Sequence, residues 1–574
     1  MSDTDFDVLI IGAGPCGLML ANELGQRGIR TMLADREETV ATAPQANATQ
    51  ARSMEHYRRH GFAHEIRMLG LPQDHPTDVS YFTTFNGYEL GRFAMPKSGG
   101  IDTYVRENAH IWNAAEMPHR IAQSLVEQTM LKNALKHPSI TIAFNEELQS
   151  FKDHGDRVTA TLANTKTGNE REVSAQYLFA ADGPQSLTRK SLGIRYDGGD
   201  PSKRDFMGGE MLSIYIDAPT FYDEIKIPRA WMYWTFNPRR RGLLASVDGV
   251  RTFTFASQMR PGESKDSMTP DDAGRMFIEA VGKEIPFKVT GFDSWISGRA
   301  LVAQKFQKGR VLMGGDAVHL FTPTGGMGYN TAVEDAVNIG WKLAAVIRGE
   351  ALPRLLESYE TERKPVAVRN TGFAARFADS VGLYAPSPAI EDDTPAGELA
   401  RARAGAYLAE HGRNEFTIPG FSLGARYDGS ALIIDDGTRS PPDQPSVYAP
   451  SAKPGGRAPH FWMDDDSSLF DNFGFEWTLL LIDARSKAAK AFEAAAAKRG
   501  VSLKVLDLTA NDFARDFYEA PAALVRPDQI VAWRGDLVRE SEASDVLGTA
   551  LGDKVSAAAG RETDSSRLVR QDSR

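Results

Sequence analysis

The N-terminal region changes between apolar and polar stretches in the order strand, helix, strand. The stretch "DVLIIGAGPCGLMLANELGQRGIRTMLADRE" starts with an apolar run, continues with apolar residues at helical spacing, and ends with a second apolar run before Asp35. Short apolar runs predict buried strands, and the helical spacing between them predicts an amphipathic helix. Three glycines lie around the turn between the first strand and the helix, so we expect a β-α-β unit with a glycine-rich turn.

The spacing of these glycines predicts a dinucleotide-binding site. Gly12 permits a tight turn, Gly14 lets the backbone approach a pyrophosphate, and Gly17 lets the helix pack close to the strand. The helix N-terminus supplies free N–H groups for the phosphates, and Asp35 can accept hydrogen bonds from ribose hydroxyls. This pattern does not distinguish FAD from NAD(P). The residues expected at the site are Gly12, Gly14, Pro15, Cys16, Gly17, Asp35 and Arg36, with Cys16 interpreted as a small packed side chain.

Two later stretches repeat the pattern of a strand followed by a turn. "VSAQYLFAADGPQSLTRKSLGI" (173–194) is an apolar strand that ends at Asp182 and Gly183, followed by a polar turn and a helix. "GRVLMGGDAVHLFTPTGGMGYN" (309–330) is a short strand, a Gly-Asp turn and a cluster of glycines, and a helix follows it. A buried core has no need for an Asp followed by so many glycines, so we expect this turn to hold a ligand.

The region between those two stretches alternates apolar and polar residues in strand fashion. Residues 208–219, 229–247 and 251–260 are rich in aromatic residues, and residues 81–93 have the pattern of a hairpin. We expect these segments to form one antiparallel sheet. Its aromatic residues could bind a flat apolar ligand, although a sheet that packs on helices has the same composition. The candidates for a substrate pocket are Tyr215, Trp231, Tyr233 and Trp234.

The pattern changes again after residue 390. Residues 391–450 contain many Pro, Asp and Gly residues and are predicted to be a connecting segment. The stretches "WTLLLID", "KAAKAFEAAAAKRG" and "VSLKVLDL" then predict a strand, a helix and a second strand. From residue 553 the chain is polar and without aromatic residues, which favours a disordered tail.

Composition and charge narrow the function classes. The 574 residues are enough for roughly two to four domains, and 42% hydrophobic and 25% charged residues are ordinary globular values. A net charge of -10 argues against a nucleic-acid partner. Cys16 is the only cysteine, so no intramolecular disulfide can form and we expect no metal site. The N-terminus has no cleavage signal and no apolar run reaches the ~18 residues of a membrane span, so we expect a cytoplasmic protein.

The order of the three turns resembles that of one enzyme family. A glycine fingerprint, an Asp-Gly turn and a Gly-Asp turn follow one another here as they do in class A, single-component FAD-dependent aromatic hydroxylases. The resemblance covers roughly residues 5–400 and extends to the C-terminal domain of phenol hydroxylase-like members. It implies an α/β fold with a Rossmann-like FAD-binding domain of the glutathione-reductase type, an antiparallel β-sheet substrate domain and a C-terminal thioredoxin-like domain. The last domain has no cysteine pair, so we expect it to be structural or oligomerising rather than redox-active.

The resemblance and the patterns together divide the chain into segments. The turns fall in one domain and the aromatic strands in another. We expect an FAD-binding domain from 1–75, 105–190 and 290–390, a substrate-binding sheet domain from 76–104 and 191–289, a connecting segment at 391–450, a thioredoxin-like domain at 451–552 and a disordered tail at 553–574.

The resemblance also implies roles for single residues. Asp316 would bind the ribityl chain of FAD, and the backbone of residues 325–328 would lie against the flavin ring, where N–H groups stabilise the reduced, anionic ring. Arg189 could attract the cofactor phosphates, and His319 is interpreted as a packed, hydrogen-bonded histidine. Further cofactor residues implied in this way are Arg52, Gln123, Asp182, Gly183, Gly315, Gly326, Gly328, Tyr329 and Asn330. The expected catalytic positions are Pro323, Gly326, Met327, Gly328 and Asn47.

One of these positions departs from the phenol-hydroxylase pattern. In that branch the position five residues before the loop arginine commonly carries an acid or a histidine that deprotonates the phenol. Here that position is Asn47, whose amide can hydrogen-bond a hydroxyl but cannot take its proton. Either another group or water activates the substrate, or the substrate is not a simple phenol, and the identity of a catalytic base stays open.

The activity implied by the resemblance is that of a flavoprotein monooxygenase in aromatic compound catabolism. NADPH or NADH would reduce FAD, O2 would add at its C4a carbon, and the hydroperoxyflavin would hydroxylate a phenolic or aromatic substrate. One alternative is a Baeyer–Villiger or epoxidising monooxygenase of the same fold acting on a polycyclic natural product, and another is a non-catalytic flavin-binding scaffold. The expected partners are a small aromatic substrate and O2, without nucleic acid or membrane. The substrate, the choice between NADH and NADPH, and the oligomeric state, with a homodimer as one option, stay open.

Overall fold

The computed structural model describes residues 4–43, 46–199, 206–297 and 299–555. The strands in these residues are β1 (Phe6–Ile11), β2 (Thr31–Asp35), β3 (Val79–Phe82), β4 (Glu89–Phe93), β5 (Ile140–Phe144), β6 (Glu146–Asp153), β7 (Val158–Asn164), β8 (Glu170–Ala180), β9 (Tyr196–Gly199), β10 (Glu210–Asp217), β11 (Met232–Thr235), β12 (Gly242–Ser246), β13 (Thr252–Gln258), β14 (Lys288–Ile296), β15 (Ala300–Ala303), β16 (Gln307–Lys308), β17 (Val311–Met313), β18 (His319–Leu320), β19 (Trp477–Leu481), β20 (Leu503–Asp507), β21 (Ala522–Val525) and β22 (Val531–Gly535). The α-helices are α1 (Pro15–Gln26), α2 (Ala51–Arg59), α3 (Ala63–Arg67), α4 (Ile101–Glu107), α5 (Ala109–Trp112), α6 (Gln123–Ala134), α7 (Leu187–Ser191), α8 (Phe221–Glu224), α9 (Pro270–Val281), α10 (Gly328–Ile347), α11 (Glu357–Gly382), α12 (Pro395–Phe416), α13 (Pro419–Leu423), α14 (Ala488–Arg499), α15 (Asp512–Tyr518) and α16 (Glu540–Ala550).

The first sheet brings the three sequence motifs to one edge. Strands β5, β2, β1, β8 and β17 lie side by side in that order, and all their pairings are parallel. The C-terminal ends of four strands lie level with one another, because Ile11 pairs with both Ala34 and Ala180, and Ala180 also pairs with Met313. The turn that follows each of these strands therefore leaves the sheet at the same edge, which is where open parallel sheets bind ligands.

The helix of the first motif is fully enclosed by the rest of the domain. Helix α1 packs between the sheet and α10, and Leu18, Met19 and Leu20 are completely buried. The two helices cross closely at Gly340, where an added Cβ would lie 2.7 Å from the Cβ of Glu23. The start of α10 is thereby held at the same end of the domain as the start of α1.

The aromatic strands form a second sheet, as the alternation predicts. Its order is β14-β10-β13-β12-β11-β3-β4, with every pairing antiparallel except that of β11 with β3. One face packs on α9 and the other packs on α11 and α12. Strand β14 continues to Ile296, so the sheet extends past the predicted boundary at residue 289.

The segment predicted to be a connection contains a long helix. Helix α12 begins after Thr394, whose side chain accepts a hydrogen bond from the N–H of Gly397, and Pro395 occupies its first turn. Gly405 and Gly412 are two turns apart and lie directly against β4 and β3, where an added Cβ at Gly405 would overlap the carbonyl of Leu90. The prediction of a connecting segment at 391–450 is wrong for these residues, because Pro and Gly here start and pack a helix rather than interrupt one.

The C-terminal region has the predicted strand–helix–strand unit. Strands β19 and β20 are parallel and α14 connects them, within a four-stranded sheet of order β20-β19-β21-β22. The predicted tail begins at residue 553, and its residues 556–574 lie outside the described part of the chain. Among the helices of the described residues, none is both long enough and apolar enough to cross a membrane.

Buried ion pairs fasten the C-terminal domain to the FAD-binding region. The carboxylate of Glu362 accepts hydrogen bonds from Lys342 at 2.6 Å and from Arg526 at 2.7 and 2.9 Å. Arg526 also pairs with Asp528 at 2.6 Å, and none of these side chains is more than 4% exposed. Burial alone would raise the pKa of Glu362, but Arg526 and Lys342 lower it below its usual value. The carboxylate of Glu362 on α11 thus connects α10, through Lys342, with the C-terminal domain, through Arg526.

We expect Glu362→Gln to lower the free energy of unfolding by about 3 kcal/mol, because it leaves the buried ammonium of Lys342 without a carboxylate partner and leaves Arg526 paired with Asp528 alone. The measurement is the midpoint of urea unfolding of the FAD-loaded protein. The control is Glu38→Gln, which removes the same charge from an exposed pair with Lys166 and should leave the midpoint unchanged. Equal midpoints for both variants would contradict the role given to Glu362.

Candidate active site

The three glycines of the first turn face different surroundings. Gly12 has a φ of +105°, and an added Cβ there would overlap the carbonyl oxygen of Ala181. A Cβ at Gly17 would overlap the carbonyl oxygen of Gly12, whereas a Cβ at Gly14 would have no atom within 4 Å. Gly12 and Gly17 are therefore required for packing. Gly14 directly precedes α1, whose first residue is Pro15, and it faces open space beside the N-terminus of this helix.

The acid at the end of β2 is held against that turn. Oδ2 of Asp35 accepts the N–H of Ala13 at 2.5 Å, and Oδ1 accepts the N–H of Glu37 at 2.8 Å. Asp35 is half-buried at the sheet edge, where ribose hydroxyls of a bound dinucleotide could reach it. Arg36 is exposed and pairs with Glu37 at 3.2 Å, so the structure gives it no part in the site.

The Asp-Gly turn after β8 has an unused acceptor. Oδ2 of Asp182 accepts the N–H of Thr188 at 3.0 Å, while Oδ1 is buried and has no partner among the described residues. A Cβ at Gly183 would point into open space. Arg189 does not face the phosphate position predicted for it, because its guanidinium donates to the hydroxyl of Tyr196 at 2.6 Å and to the carbonyl of Ala317 at 3.2 Å. It supports the turn instead.

The Gly-Asp turn after β17 lies against the first turn. An added Cβ at Gly314 would be 3.1 Å from Sγ of Cys16, and one at Gly315 would be 3.2 Å from its Cβ, so both glycines leave room for this buried cysteine. Asp316 is exposed, although its neighbours Gly315 and Ala317 are buried. The surrounding protein nevertheless raises the pKa of Asp316 by desolvation. A carboxylate that protrudes into a partly enclosed space is placed to meet a polar ligand.

A buried histidine supports this turn from behind. Nε2 of His319 lies 2.7 Å from Oδ2 of Asp335, and the same oxygen accepts the N–H of Gly315 at 3.2 Å. Arg363 donates to the other oxygen at 2.8 Å. Burial alone would raise the pKa of Asp335, but His319 and Arg363 lower it. His319 is completely buried, and it is the packed histidine that we expected.

The glycine cluster is hydrogen-bonded to the loop that follows β2. The side chain of Asn330 donates to the carbonyls of Ala48 and Gly326 and accepts the N–H of Gln50 at 2.8 Å. Nε2 of Gln50 donates to the carbonyl of Gly325 at 2.6 Å. Two further residues continue this contact, since the hydroxyls of Thr49 and Tyr329 are hydrogen-bonded.

The residues of the glycine cluster have different surroundings in the structure. Asn330 does not cap α10, because its side chain is fully used between the loop and the turn. Gly325 and Gly326 have φ values of +66° and +63°, and a Cβ at Gly326 would be 2.8 Å from that of Ala48. Pro323 is exposed between Thr322 and Thr324, both of which are buried. Met327 is buried, Gly328 is the first residue of α10, and Asn47 is half-buried in the loop.

Two predicted cofactor residues have other partners. Arg52 is buried and donates to Glu55 at 2.9 Å, to Gln529 at 2.7 Å and to the carbonyl of Asp528 at 2.7 Å. Its position on α2 directs it to the C-terminal domain, so the expectation of a contact with FAD is not met. Gln123 begins α6 as predicted, but its side chain donates to Glu127 at 2.7 Å.

The substrate-pocket candidates divide between the two faces of the second sheet. Trp231 and Trp234 are buried on the face that packs on α11 and α12. Tyr233 lies in the opposite cluster, towards α9, and its hydroxyl accepts the N–H of Ala230 at 2.7 Å. It is a core residue rather than a pocket residue. Tyr215 is half-buried in β10, and burial raises the pKa of its hydroxyl.

Residues that the sequence did not single out lie beside the glycine turn. Glu415 of α12 accepts the N–H of Gly325 at 3.0 Å, and the imidazole of His411 lies one turn before it, 2.8 Å away. The guanidinium of Arg120 lies 4.4 Å from the centre of the Trp231 ring, and burial lowers its pKa to about 10. Only the folded chain brings this buried carboxylate, imidazole and guanidinium together beside the glycine turn.

The residues at the sheet edge fit a flavin dinucleotide. The open space at Gly14 and the N-terminus of α1 suit a pyrophosphate, and the free oxygen of Asp182 and the exposed carboxylate of Asp316 suit hydroxyls. The fold and these turns define a dinucleotide-binding protein of α/β class with a separate sheet above the site.

Comparison with known proteins gives the family. Residues 5–374 match the model of an FAD binding domain, and residues 451–556 match the model "Aromatic-ring hydroxylase, C-terminal". The chain belongs to the FAD-dependent aromatic-ring hydroxylases, so it is a flavoprotein monooxygenase and its cofactor is FAD. The predicted family, fold class and cofactor are confirmed.

Individual relatives cover nearly the whole chain. Aklavinone 12-hydroxylase DnrF of Streptomyces peucetius is 32% identical over 84% of this chain and 92% of its own. Phenol 2-monooxygenase of a Pseudomonas species is 28% identical over 94% and 92%. The structure of an aklavinone-11 hydroxylase in a ternary complex with FAD and aklavinone superposes with a TM-score of 0.80 and 28% identity, covering 96% of this chain and 100% of that one.

The surroundings of the first-turn glycines predict opposite effects of one added methyl group. We expect Gly14→Ala to leave the stability of the apoprotein unchanged and to weaken FAD binding at least tenfold (about 1.4 kcal/mol), because the methyl occupies the space for the phosphates. Gly17→Ala should instead lower apoprotein stability by about 1–3 kcal/mol through overpacking. Thermal unfolding of the apoprotein and FAD titration separate the two effects. Unchanged FAD affinity in Gly14→Ala would contradict this placement.

The exposed carboxylate in the Gly-Asp turn should contribute to cofactor retention. We expect Asp316→Ala to weaken FAD binding about tenfold to a hundredfold, the value of one hydrogen bond to a charged group. Flavin fluorescence on titration measures this, with the exposed Asp156→Ala as the control. A variant that keeps full FAD occupancy and activity would refute the role of Asp316.

Proposed function

We propose that this protein hydroxylates a phenolic ring of a polycyclic aromatic substrate, using O2 and a nicotinamide reductant. The observation that carries the proposal is the meeting of the glycine turn with a buried aromatic face. Gly325 donates its N–H to Glu415 at 3.0 Å, and the helix of Glu415 packs on the sheet face that bears Trp231 and Trp234. A flat ring bound on that face would lie next to the turn.

The residues of the chain then have separate tasks. Asp316 and the first turn would hold the ribityl chain and the phosphates of FAD, and the N–H groups at the start of α10 would face the ring. Pro323 protrudes from two anchored threonines, so it can limit access of water to the ring. FAD, when bound, would supply the redox chemistry, in which NAD(P)H provides the electrons and O2 provides the oxygen atom that is transferred to the substrate. The route through flavin C4a stays a prediction.

The substrate class is proposed from the width of the aromatic face and from the relatives. The buried cluster on this face includes Tyr81, Trp231, Trp234 and Phe236, which are more aromatic rings than one small phenol could contact. The printed names of relatives include hydroxylases of aklavinone as well as a phenol 2-monooxygenase. An aromatic cluster of this composition would suit either a polycyclic substrate or a simple phenol. The experiment below therefore compares substrates of both kinds.

The test is ligand-stimulated oxidation of NADPH and of NADH by the FAD-loaded protein. A panel of phenols, hydroxybenzoates and hydroxylated polyketides is assayed together with product analysis, because a poor ligand can release peroxide without hydroxylation. We expect the fastest oxidation with a hydroxylated polycyclic compound and one hydroxylated product per reductant consumed. A lactone or epoxide product would indicate the Baeyer–Villiger or epoxidising alternative. Bound FAD with no ligand response would indicate a scaffold.

A further inference from the structure

Five buried polar atoms on the aromatic face make no hydrogen bond within the described part of the chain, although two of them face each other as an ion pair. Among the described residues, none makes a hydrogen bond with the hydroxyl of Tyr81, Nε1 of Trp234, Nε2 of His411, Oε2 of Glu415 or Nη1 of Arg120. The rings of Tyr81, Trp234 and His411 are mutual neighbours, with centroids 6.3 to 6.4 Å apart. Nε2 of His411 is 2.8 Å from Oε2 of Glu415, but the alignment is not that of a hydrogen bond.

The number of these atoms shows that the chain alone does not satisfy them. A buried polar group without a hydrogen-bond partner destabilises the folded protein, and several such groups at one place add to this cost. Such atoms gathered at one place are expected to be paired by a ligand or water. The other oxygen of Glu415 holds the glycine turn through Gly325, so the ligand in question borders the flavin position.

The chemistry of the five atoms selects the ligand. The N–H of Trp234 and the guanidinium of Arg120 only donate, whereas the carboxylate of Glu415 only accepts. A carboxylate ligand would be repelled by Glu415, and an ammonium ligand by Arg120. A neutral ring hydroxyl fits both, because it donates its proton to one side and accepts hydrogen bonds on the other.

Helix α12 presents these groups on one side. Ala404, Leu408, His411 and Glu415 share the face that packs on the second sheet, and Glu410 lies on the exposed side. Nδ1 of His411 lies 3.1 Å from the hydroxyl of Ser380 on α11, which orients the imidazole towards Glu415. Two unprotonated atoms 2.8 Å apart would repel each other, so one proton lies between them, and we place it on Nε2, which leaves the carboxylate of Glu415 free to accept a further proton.

We propose that Glu415 is the catalytic base of this enzyme, which takes the proton of the substrate's ring hydroxyl while Trp234 and Tyr81 bind the oxygen. This inference rests on the proposed function and adds the base that Asn47 cannot supply. The O–H bond of the ring breaks, an O–H bond forms at Oε2, and the electron pair stays on the ring oxygen. The negative charge moves from Glu415 to the ring and stays near the buried Arg120, so no charge is created in the pocket. His411 is a positioning residue for Glu415.

The test uses the FAD-loaded protein and alizarin, a hydroxylated polycyclic dye that turns from yellow to red when its hydroxyl ionises. The variant is Glu415→Gln, which keeps an acceptor for Gly325 but not the charge, and the matched control is Glu410→Gln on the exposed side of the same helix. At a pH where the free dye is neutral, we expect wild type and Glu410→Gln to bind the red form. Glu415→Gln should bind the yellow form.

Turnover of the best substrate from the panel gives a second readout. We expect kcat of Glu415→Gln to fall by about a hundredfold or more, the usual contribution of a general base, with KM changed little. If this variant loses FAD, Trp234→Phe still tests the pocket, because it removes one N–H and should weaken alizarin binding about tenfold.

Other outcomes separate this inference from the proposed function. Wild-type protein that leaves alizarin neutral or unbound, or a Glu415→Gln variant that ionises it normally, overturns the role of Glu415 even if hydroxylation occurs. A wild type that ionises the dye but forms no hydroxylated product from any substrate overturns the proposed function and leaves the proton transfer standing.

Discussion

The buried side-chain amide of Asn330 joins the two segments on which the site depends. It connects the glycine turn with residues 48–50, which lie 280 positions earlier in the chain, through three hydrogen bonds. A buried amide is stable only when its donors and acceptor are all used, so the turn, the loop after β2 and the start of α10 can take only one relative position. The wall of the flavin site therefore has a defined shape before any ligand binds.

The interface with the C-terminal domain is connected to the loop that Asn330 holds. The loop that meets Asn330 leads into α2, whose residues Arg52 and Glu55 contact Gln529 and Arg457 of the C-terminal region. A buried ion pair is favourable only when both charges are present and well placed, so docking of the C-terminal domain and ordering of the loop are coupled. This supports a structural role for a domain that has no cysteine.

Helix α12 shows how a substrate pocket can depend on a segment of unremarkable composition. Its stretch "ARARAGAYLAEHGRNEF" has the alanines and leucines of an ordinary helix and contains no recognised motif. Its two glycines let it approach β3 and β4 closely, and that approach places His411 and Glu415 within the aromatic face. The proposed substrate site thus depends on contact between a helix and a sheet that are far apart in sequence.

The sequence by itself determined the α/β fold, the FAD-binding class and the convergence of the three turns. The fold and the convergence of the turns follow from local patterns, because strand period, glycine spacing and the meeting of parallel strand ends need no knowledge of distant contacts. The choice of FAD came from the resemblance of the three turns, in their order, to a known family. Only the tertiary structure decided that Arg52 bonds to the C-terminal domain, that Tyr233 is core, and that α12 contacts the glycine turn. The direction of a long side chain and the partner of a buried charge depend on which elements pack together, and no single stretch of sequence contains that information.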